Sequence, residues 1–536
     1  MRLKLSGQWI FVLAFSAVVI IIANIPYIYG YAIAPPEKVF MGDARCFIDT
    51  NTYLAWMHQA ADGHILFKDI YTTEPHSRML FHPFFLLLGN ISRVTGLSLI
   101  TVHSLARVVF GFSLLLFCYL FLSLFIEDEF KRSLAFILIS ISGGFGWLRL
   151  FSAVDVISES WFLTGWVEGN TFLSVYSLPL FSASFLMLLA VFYLMIRSFE
   201  TEKLVYSFWA GVVCFLLIST HFYDALIVYP VIILYVAAKY FISKDKRELL
   251  KSTSSFFVMF LISLLSPLYN FWVSVTNPVF REWAWKSAIT LSPGFLWYLG
   301  LFGLLSILSA IGIVYVLFDF KSPLFYRRFF LAVWALSVPF LIYAPIAFQR
   351  RLIEGVHVPM AILASIGIVF LIQKFKWNKK LAAAIFIVLL IPGNLTLLSR
   401  DMNYLRENAS RESVAGFLDR DIYEAIEWLK SNTKRENVVL ADYEIGNYVP
   451  AISGNTVFVG HSPETIDFWG KWALVKRFFN EDASDEFRKE FLRTSEVRYI
   501  IYSWKEKKIG LFDPNVASYL ARVYSNQTTS IFKVEL

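Results

Sequence analysis

The chain has 536 residues, of which 57% are hydrophobic and 17% are charged, whereas a soluble protein is about 25% charged. This composition excludes an ordinary soluble protein and predicts many membrane spans. The formal charge of +7 does not indicate nucleic-acid binding, because the basic residues form short clusters between apolar runs.

Eleven apolar runs are each about as long as a hydrocarbon core of about 30 Å requires. They are predicted at about residues 8–31, 100–126, 132–150, 173–196, 204–220, 223–242, 253–276, 294–318, 328–348, 355–374 and 379–398. The predicted fold class is therefore a polytopic α-helical membrane protein. Its transmembrane domain comprises residues 1–399 and includes a long first outer loop, residues 32–99.

Basic residues predict the orientation of the chain through the positive-inside rule. They cluster in every second loop, as at Lys131 and Arg132, while the predicted outer loop 151–172 contains neither Lys nor Arg. We therefore expect a multi-pass protein of the cell membrane with a cytoplasmic N-terminus. Counting residues 79–96 as a span would invert every later loop, so this run is predicted to be a surface helix.

The first outer loop is rich in acidic residues and histidines. Between Met41 and Pro83 it carries Asp43, Asp49, Asp62, Asp69, Glu74, His58, His64, His76 and His82. A short amphipathic helix in the membrane interface is predicted at Thr50–Ala61. Asp49 or Thr50 can serve as its N-cap, and Gly63 can end it.

From about residue 400 the chain becomes charged and shows short alternating elements. A helix is predicted at Ile422–Lys430, and strands at Asn437–Ala441, Thr456–Gly460, Val497–Tyr502 and Thr529–Leu536. This pattern predicts a small α/β domain, residues 400–536, on the outer side of the membrane. The domain contains no phosphate-loop or metal-ligand motif.

Ionisable residues of the membrane part are predicted to lie near the outer face rather than at mid-depth. A transporter would place them near the midplane, so we expect chemistry at the outer interface. There, an arginine pair such as Arg350 and Arg351 can bind phosphate oxygens. A carboxylate such as Asp49 can take a proton from an attacking hydroxyl. Together these groups describe glycosyl transfer from a polyprenyl-phosphate sugar.

Several short motifs carry a family resemblance. They are Asp49 with Tyr53–Met57, Ala61–His64, Tyr71–His76, Gly144–Trp147, Glu168 with Thr171–Ser174, His221–Asp224, Gln349–Gly355, and Gly460-His461 with Glu464-Thr465 and Lys471. With these motifs the chain resembles the GT-C superfamily of lipid-phosphate-dependent glycosyltransferases. That superfamily includes protein O-mannosyltransferases, aminoarabinose transferases and oligosaccharyltransferases. The nearest likeness is to uncharacterised prokaryotic members with a C-terminal outer domain.

The resemblance implies an inverting transfer to a glycan, lipid or protein acceptor, as in protein glycosylation or cell-envelope synthesis. It implies catalytic roles for Asp49, as general base, and Glu168. The implied substrate-binding residues are Asp43, Tyr53, Glu74, His76, His221, Asp224, Arg350, Arg351 and Glu354. The adjacent acidic pair of many relatives is missing, because Ile48 precedes Asp49, so Asp43 or Glu168 is the candidate partner.

The resemblance leaves open whether the protein uses a divalent cation, since some oligosaccharyltransferases use one. The spacing of the loop histidines is irregular and matches no ligand set, so no residue is assigned as a metal ligand.

Simpler roles compete with these assignments. Asp49 can act as a helix cap, His221 and Asp224 can belong to a turn, and Glu74 and His76 to a satisfied polar turn. Arg350 and Arg351 can snorkel to the interface. For the whole chain, the alternatives are a transporter or flippase for a lipid-linked glycan, or a non-catalytic membrane scaffold.

Overall fold

The computed structural model describes residues 7–150 and 166–536, so most of the predicted outer loop 151–172 lies outside the described residues. Helices make up most of the described chain. In chain order the α-helices are α1 Gly7–Ile33, α2 Phe47–Ala61, α3 Pro83–Thr95, α4 Leu99–Leu122, α5 Glu129–Ile141, α6 Thr171–Tyr176, α7 Pro179–Thr201, α8 Leu204–Thr220, α9 Ala225–Ser243, α10 Lys246–Ser263, α11 Leu265–Thr276, α12 Pro278–Ala288, α13 Phe295–Phe302, α14 Leu304–Phe318, α15 Phe325–Leu341, α16 His357–Lys374, α17 Lys379–Leu390, α18 Pro392–Ser410, α19 Arg420–Asn432, α20 Tyr443–Ile452, α21 Phe468–Phe479, α22 Asp485–Thr494 and α23 Trp504–Ile509.

Strands and 3-10 helices complete the described secondary structure. The strands are β1 Lys38–Phe40, β2 Phe417–Asp419, β3 Val438–Leu440, β4 Thr456–Val457, β5 Val497–Tyr502, β6 Leu520–Ser525 and β7 Ser530–Val534. The 3-10 helices are Phe145–Leu150, Val167–Gly169, Phe222–Asp224, Gln349–Ile353 and Pro514–Val516.

Among the described residues, seven helical segments are long and apolar enough to cross a membrane. They are Gly7–Ile33, Leu99–Leu122, Pro179–Thr201, Phe222–Ser243, Lys246–Thr276, Gln349–Lys374 and Lys379–Ser410. The pair α13–α14 would make an eighth, bent by 93° at Gly303, whose φ of +55° suits glycine. Helices lie at all eleven predicted positions, although some, such as α5, are shorter than a full span. The predicted fold class is confirmed.

The described chain forms two compact units. Unit 1 comprises the residues up to Pro26, Leu105–Tyr269 and Ile289–Asp401. Unit 2 comprises Tyr27–Ser104, Asn270–Ala288 and Met402–Leu536. The first outer loop therefore shares a compact unit with the C-terminal segment.

A five-stranded mixed sheet organises the C-terminal part of unit 2. Its strand order is β4-β3-β5-β7-β6, with β3 parallel to β4 and β5, and β7 antiparallel to β5 and β6. The predicted strands are all present, and β5 has its predicted bounds. Strands β1, β2 and β6 were not predicted. Strand β2 pairs antiparallel with β1 of the first loop.

Alternating strand residues pack on opposite faces of this sheet, as the period of two requires. One face buries Val439, Ile501 and Ile531, and the other buries Val438, Ile500 and Phe532. The first face also packs against residues of the first loop, namely Met41, Ala55, Ile70 and Tyr71. The loop thus contributes to the hydrophobic core of unit 2.

Helix α2 begins at Phe47, so the predicted N-cap, Asp49 or Thr50, is wrong. Asp43 orders this end of the helix instead. Its Oδ1 accepts hydrogen bonds from the backbone N–H groups of Arg45 and Cys46, both at 2.7 Å. Most of α2 from Thr50 onward is buried, so the prediction of an interfacial helix here is also wrong. Ala55 of α2 belongs to the hydrophobic core of unit 2.

Helix α3 is the predicted surface helix, shortened to 13 residues. It buries Phe85 and Leu88 while Leu87 and Val94 stand 51% and 84% exposed. An exposed apolar face on a short helix suits the boundary of a bilayer. Residues 79–96 are accordingly not among the described segments long enough to span a membrane.

Candidate functional site

Within unit 2, Asp49 and His461 form the centre of the first-loop cluster, which also contains Glu74, Glu464 and Lys471. Asp49 lies on the first turn of α2, and its side chain is 57% exposed. Its Oδ1 is 3.4 Å from Nε2 of His461, whose side chain is buried. The arrangement presents a carboxylate outward with an imidazole beside it.

Lys471 joins the C-terminal segment to the first loop. Its Nζ donates hydrogen bonds to Glu74 Oε2 at 2.8 Å and Thr72 Oγ1 at 3.0 Å. Burial by itself would raise the pKa of Glu74, but the bonds from Lys471 and Thr72 lower it. The carboxylate of Glu74, predicted to bind substrate, is therefore engaged in an ion pair.

His76, another predicted substrate ligand, uses both ring nitrogens within the loop. Its Nδ1 donates to the carbonyl oxygen of Glu74 at 2.7 Å, and its Nε2 accepts from the backbone N–H of Asp69 at 3.1 Å. Burial lowers the pKa of His76, which favours this neutral tautomer. The predicted ligand Tyr53 stacks on Phe85 with ring centroids 4.6 Å apart. The contacts of Glu74 and His76 match the simpler alternative of a satisfied polar turn.

Two buried carboxyl groups lie behind the first-loop cluster. Burial raises the pKa of Asp69 to about 7, and burial together with the nearby Asp69 raises the pKa of Glu464. Trp283 Nε1 donates a hydrogen bond to Glu464 Oε1 at 2.7 Å. The sequence analysis did not identify Trp283, because one tryptophan in an aromatic helix carries no local signal of its partner.

A second group, the buried carboxylate cluster, lies in unit 1 and consists of Glu168, His221, Asp224 and Glu354. His221 Nδ1 is 3.2 Å from Asp224 Oδ2 and 3.0 Å from Glu354 Oε2. The backbone N–H of Gly355 donates to the carbonyl oxygen of Glu168 at 3.3 Å. All four side chains are at most 6% exposed. Residues predicted in three separate loops are thus brought together.

Asp224 lies at a helix start, where the simpler alternative is that it acts as a helix cap. His221 follows the last residue of α8, and Asp224 precedes α9, but the Asp224 side chain makes no capping hydrogen bond. Its carboxylate faces His221 instead. A capping requirement therefore does not account for this buried acid.

Aromatic rings support both predicted phosphate-binding arginines in unit 1. The guanidinium of Arg350 lies 5.0 Å from the centre of the Trp166 ring, and that of Arg351 lies 4.7 Å from the centre of the Tyr223 ring. Tyr223 also packs on Phe348 at 4.8 Å. Cation–π contacts of this kind help to hold an arginine side chain in place.

No protein-family model and no curated protein matches this sequence, but its fold matches solved structures. The apo oligosaccharyltransferase of Archaeoglobus fulgidus gives a TM-score of 0.57 at 13% identity, covering 94% of this chain and 70% of that one. Arabinofuranosyltransferase AftD from Mycobacteria gives 0.57 at 11% identity, covering 99% and 40%. ArnT from Cupriavidus metallidurans in the apo state gives 0.50 at 10% identity, covering 97% and 98%.

These three proteins share the GT-C fold, and the chain described here has that fold too. The resemblance drawn from the sequence motifs is confirmed at the level of the fold. At 10–13% identity, the roles of individual residues do not follow from the likeness.

Proposed function

We propose that the protein is a membrane glycosyltransferase that moves a sugar from a polyprenyl-phosphate donor to an acceptor at the outer face of the cell membrane. The archaeal relative of this fold has been solved with an acceptor peptide and, in another complex, with dolichol-phosphate. A lipid-linked donor and a glycan, lipid or protein acceptor are the corresponding partners proposed here.

The observation that carries the proposal is the exposure of Asp49 among the five acidic residues between Met41 and Pro83. Asp43 accepts backbone hydrogen bonds, Asp69 is buried, and Glu74 is paired with Lys471. Asp62 contacts His58 and Arg435. Asp49 alone of the five is more than half exposed, with His461 beside it. It is the carboxylate that an incoming acceptor can reach.

In the proposed reaction, Asp49 accepts the proton of the acceptor hydroxyl or amine as that atom attacks the anomeric carbon of the sugar. The bond between this carbon and the phosphate oxygen breaks, and the lipid phosphate leaves with the electron pair. Attack from the face opposite the leaving group inverts the anomeric centre. A positioned general base of this kind contributes roughly 10²–10⁴-fold to the rate.

Arg350 and Arg351 are proposed to bind the departing phosphate. Guanidinium groups pair with phosphate oxygens in a bidentate manner, and they stabilise charge as it develops on the leaving group. The aromatic contacts of both side chains favour a fixed orientation, which is what transition-state stabilisation needs. The archaeal relative was also solved with Zn and sulfate; a divalent cation, held by the buried carboxylate cluster, would add positive charge for the phosphate.

The ionisable residues of unit 1 favour an enzyme over a transporter or flippase. His221, Asp224 and Glu354 lie at helix ends or in 3-10 segments, whereas coupled transporters use broken helices at mid-span. A non-catalytic scaffold would not need an outward carboxylate beside a buried histidine.

The test is incubation of the purified protein with a panel of polyprenyl-phosphate sugars and measurement of the released lipid phosphate. We expect release from at least one donor. In the double variant Arg350→Ala and Arg351→Ala, release is expected to fall by roughly 10²–10³-fold. Arg498→Ala, at an exposed position of β5, is the matched control and is expected to retain the wild-type rate. Translocation of the lipid-linked sugar in proteoliposomes without any release would contradict the proposal.

A further inference from the structure

A groove of about 510 Å³ lies on the surface of unit 1, along the second half of α14. Binding sites for small molecules usually have volumes of about 300–1,000 Å³. The groove is near the end of α16, roughly 20 Å along the helix axis from His357 and the buried carboxylate cluster. Its lining residues are Ala310, Ile311, Val314, Tyr315, Phe318, Asp319 and, from α16, Phe370. The proposed sugar transfer does not use this groove.

The packing of α14 on α16 accounts for a groove at this position. A Cβ added at Gly312 would overlap the carbonyl oxygen of Leu363, so the two helices touch through their backbones there. About one turn later, Tyr315 and Phe370 pack ring against ring, with centroids 5.5 Å apart. An aromatic pair requires more space between two helices than a glycine contact does, and this leaves room for a groove beside the rings.

Hydrocarbon is the ligand that the lining of the groove fits. Asp319 is the only charged residue of the lining, and Val314 and Phe318 are 54% and 78% exposed. From Ala310 to Phe318 the lining follows roughly 12 Å of helix, whereas a spanning helix of a partner would follow a hydrocarbon core of about 30 Å. The short length therefore favours part of a lipid acyl chain over a partner's helix.

A lysine provides a positive charge at the end of the groove. Lys374 Nζ lies 5.7 Å from the centre of the Phe370 ring and 5.8 Å from that of the Phe375 ring. Within the described part of the chain, Lys374 forms no ion pair. The acidic lining residue Asp319, in contrast, has its Oδ2 3.4 Å from Arg328 Nη1. Because the acid is paired and Lys374 is not, this end of the groove carries a net positive charge.

The residues after Lys374 indicate that this end lies at the level of the lipid headgroups. Phe375 stacks on Trp377 with ring centroids 5.1 Å apart, and Lys376 and Lys379 are neighbours in the chain. Aromatic residues and lysines are typical of the membrane–water interface, and lysines there attract anionic lipids. The groove thus combines an apolar stretch for the hydrocarbon with a cation at the headgroups.

We propose that the groove binds an anionic phospholipid, with one acyl chain along residues 310–318 and the headgroup phosphate at Lys374. A zwitterionic phospholipid supplies the same acyl chain but no net charge for the lysine, so the site is expected to prefer the anionic lipid. This binding is separate from the proposed sugar transfer, because the groove and the buried carboxylate cluster lie at opposite ends of α16.

The experiment counts bound lipid and does not measure sugar transfer. Full-length protein is purified in detergent and stripped of loosely held lipid. It is then titrated with phosphatidylglycerol or with phosphatidylcholine of the same acyl chains, and bound lipid is counted by native mass spectrometry. We expect one phosphatidylglycerol to be retained per chain, at lower lipid concentrations than phosphatidylcholine requires.

The charged end of the site is tested with Lys374→Gln. Binding of phosphatidylglycerol is expected to weaken roughly fivefold, the effect of one lysine near a membrane surface, while binding of phosphatidylcholine stays unchanged. Lys244→Gln is the matched control, because Lys244 Nζ also lies over an aromatic ring at a helix end, 5.1 Å from the centre of Phe241. Phe241 does not line the groove, so this variant is expected to bind as the wild type does.

The apolar part of the site is tested with Val314→Trp. The larger side chain is expected to fill the groove and to abolish the retention of either lipid. Ile233→Trp adds the same side chain at a 50% exposed position of α9 and is expected to retain phosphatidylglycerol as the wild type does.

Photo-crosslinking of the wild-type protein keeps the test decisive if a variant fails to fold. Phosphatidylglycerol with a photoreactive acyl chain is expected to label peptides that contain Val314 or Phe370. Equal retention of the two lipids by the wild type and all variants would overturn the proposal, by showing only a general lipid shell. Labelling confined to other helices, or a stable dimer in which a second copy of the chain covers the groove, would also overturn it.

Discussion

Asp49 and Asp69 are carboxyl groups of the same loop in opposite surroundings. Asp49 is 57% exposed beside His461, while Asp69 is buried and accepts a hydrogen bond from the backbone N–H of Tyr71 at 2.9 Å. Burial raises the pKa of Asp69 to about 7. Asp49 is thus exposed to solvent, whereas Asp69 links the stability of unit 2 to pH.

The pKa of Asp69 determines the sign of this pH dependence. The ordinary value of 3.8 applies to the unfolded chain, and about 7 applies to the folded one. Between these values the folded state holds more protons, so the free energy of unfolding falls as pH rises from about 4 to about 7. Asp69→Asn is expected to remove much of that fall. The rest is expected to remain because the pKa of Glu464 is raised as well.

Thermal unfolding in detergent at a series of pH values measures this effect. The melting temperature of Asp69→Asn, relative to the wild type, is expected to rise on going from pH 5 to pH 8. Asp482→Asn, at an exposed position, should follow the wild-type profile. Parallel profiles for the wild type and Asp69→Asn would show that Asp69 does not carry the dependence.

Helices α2 and α3 pack so closely that one glycine has no room for a side chain. A Cβ added at Gly89 of α3 would lie 2.4 Å from the carbonyl oxygen of Met57 and 2.5 Å from Ala60 Cβ of α2. Because Asp49 lies on α2, this contact helps to hold the candidate base in place. The close approach belongs to the pair of helices and not to either one alone.

Gly89→Ala is expected to destabilise the protein by about 1–3 kcal/mol, the usual cost of forcing extra volume into a packed site. Gly7→Ala is the control, since a Cβ there would have no atom within 4 Å. The measurement is the denaturation midpoint of each variant. A Gly89→Ala midpoint equal to that of Gly7→Ala would show that the two helices separate at no cost.

At the scale of elements, the long apolar runs predicted a helix at each of eleven positions because length and hydropathy are local properties. The start of α2 could not be read in this way. It depends on Asp43 accepting hydrogen bonds from Arg45 and Cys46, a turn that precedes the periodic pattern. The burial of α2 was likewise missed, because the core that covers it includes residues from beyond position 410.

At the scale of the whole molecule, the first loop and the C-terminal segment form one compact unit. The ion pair of Lys471 with Glu74 joins residues 397 positions apart, and β1 pairs with β2 over a comparable separation. No periodicity in the sequence specifies such pairs. We therefore expect the loop that carries Asp49 to depend on contacts with residues 400–536 for its folded structure.

The sequence could indicate candidate site residues but not how they pack, and the roles of these residues stay predictions. Residue type and the predicted depth in the membrane indicated Glu168, His221, Asp224 and Glu354 as candidates. The fold brings these four residues together in unit 1. In unit 2, Glu74 and His76 proved to be occupied by Lys471 and by backbone groups. Residue type indicates which side chains can do chemistry, whereas only the fold determines which of them are already paired.

The most direct test of the central claim is the rate of sugar transfer by Asp49→Asn. It is measured in membranes with a labelled polyprenyl-phosphate sugar that the wild-type protein accepts. Asparagine keeps the shape of the side chain but cannot accept the proton, so the rate is expected to fall by roughly 10²–10⁴-fold. Asp482→Asn should retain the wild-type rate. Transfer by Asp49→Asn at the wild-type rate would contradict the assignment of Asp49 as the general base.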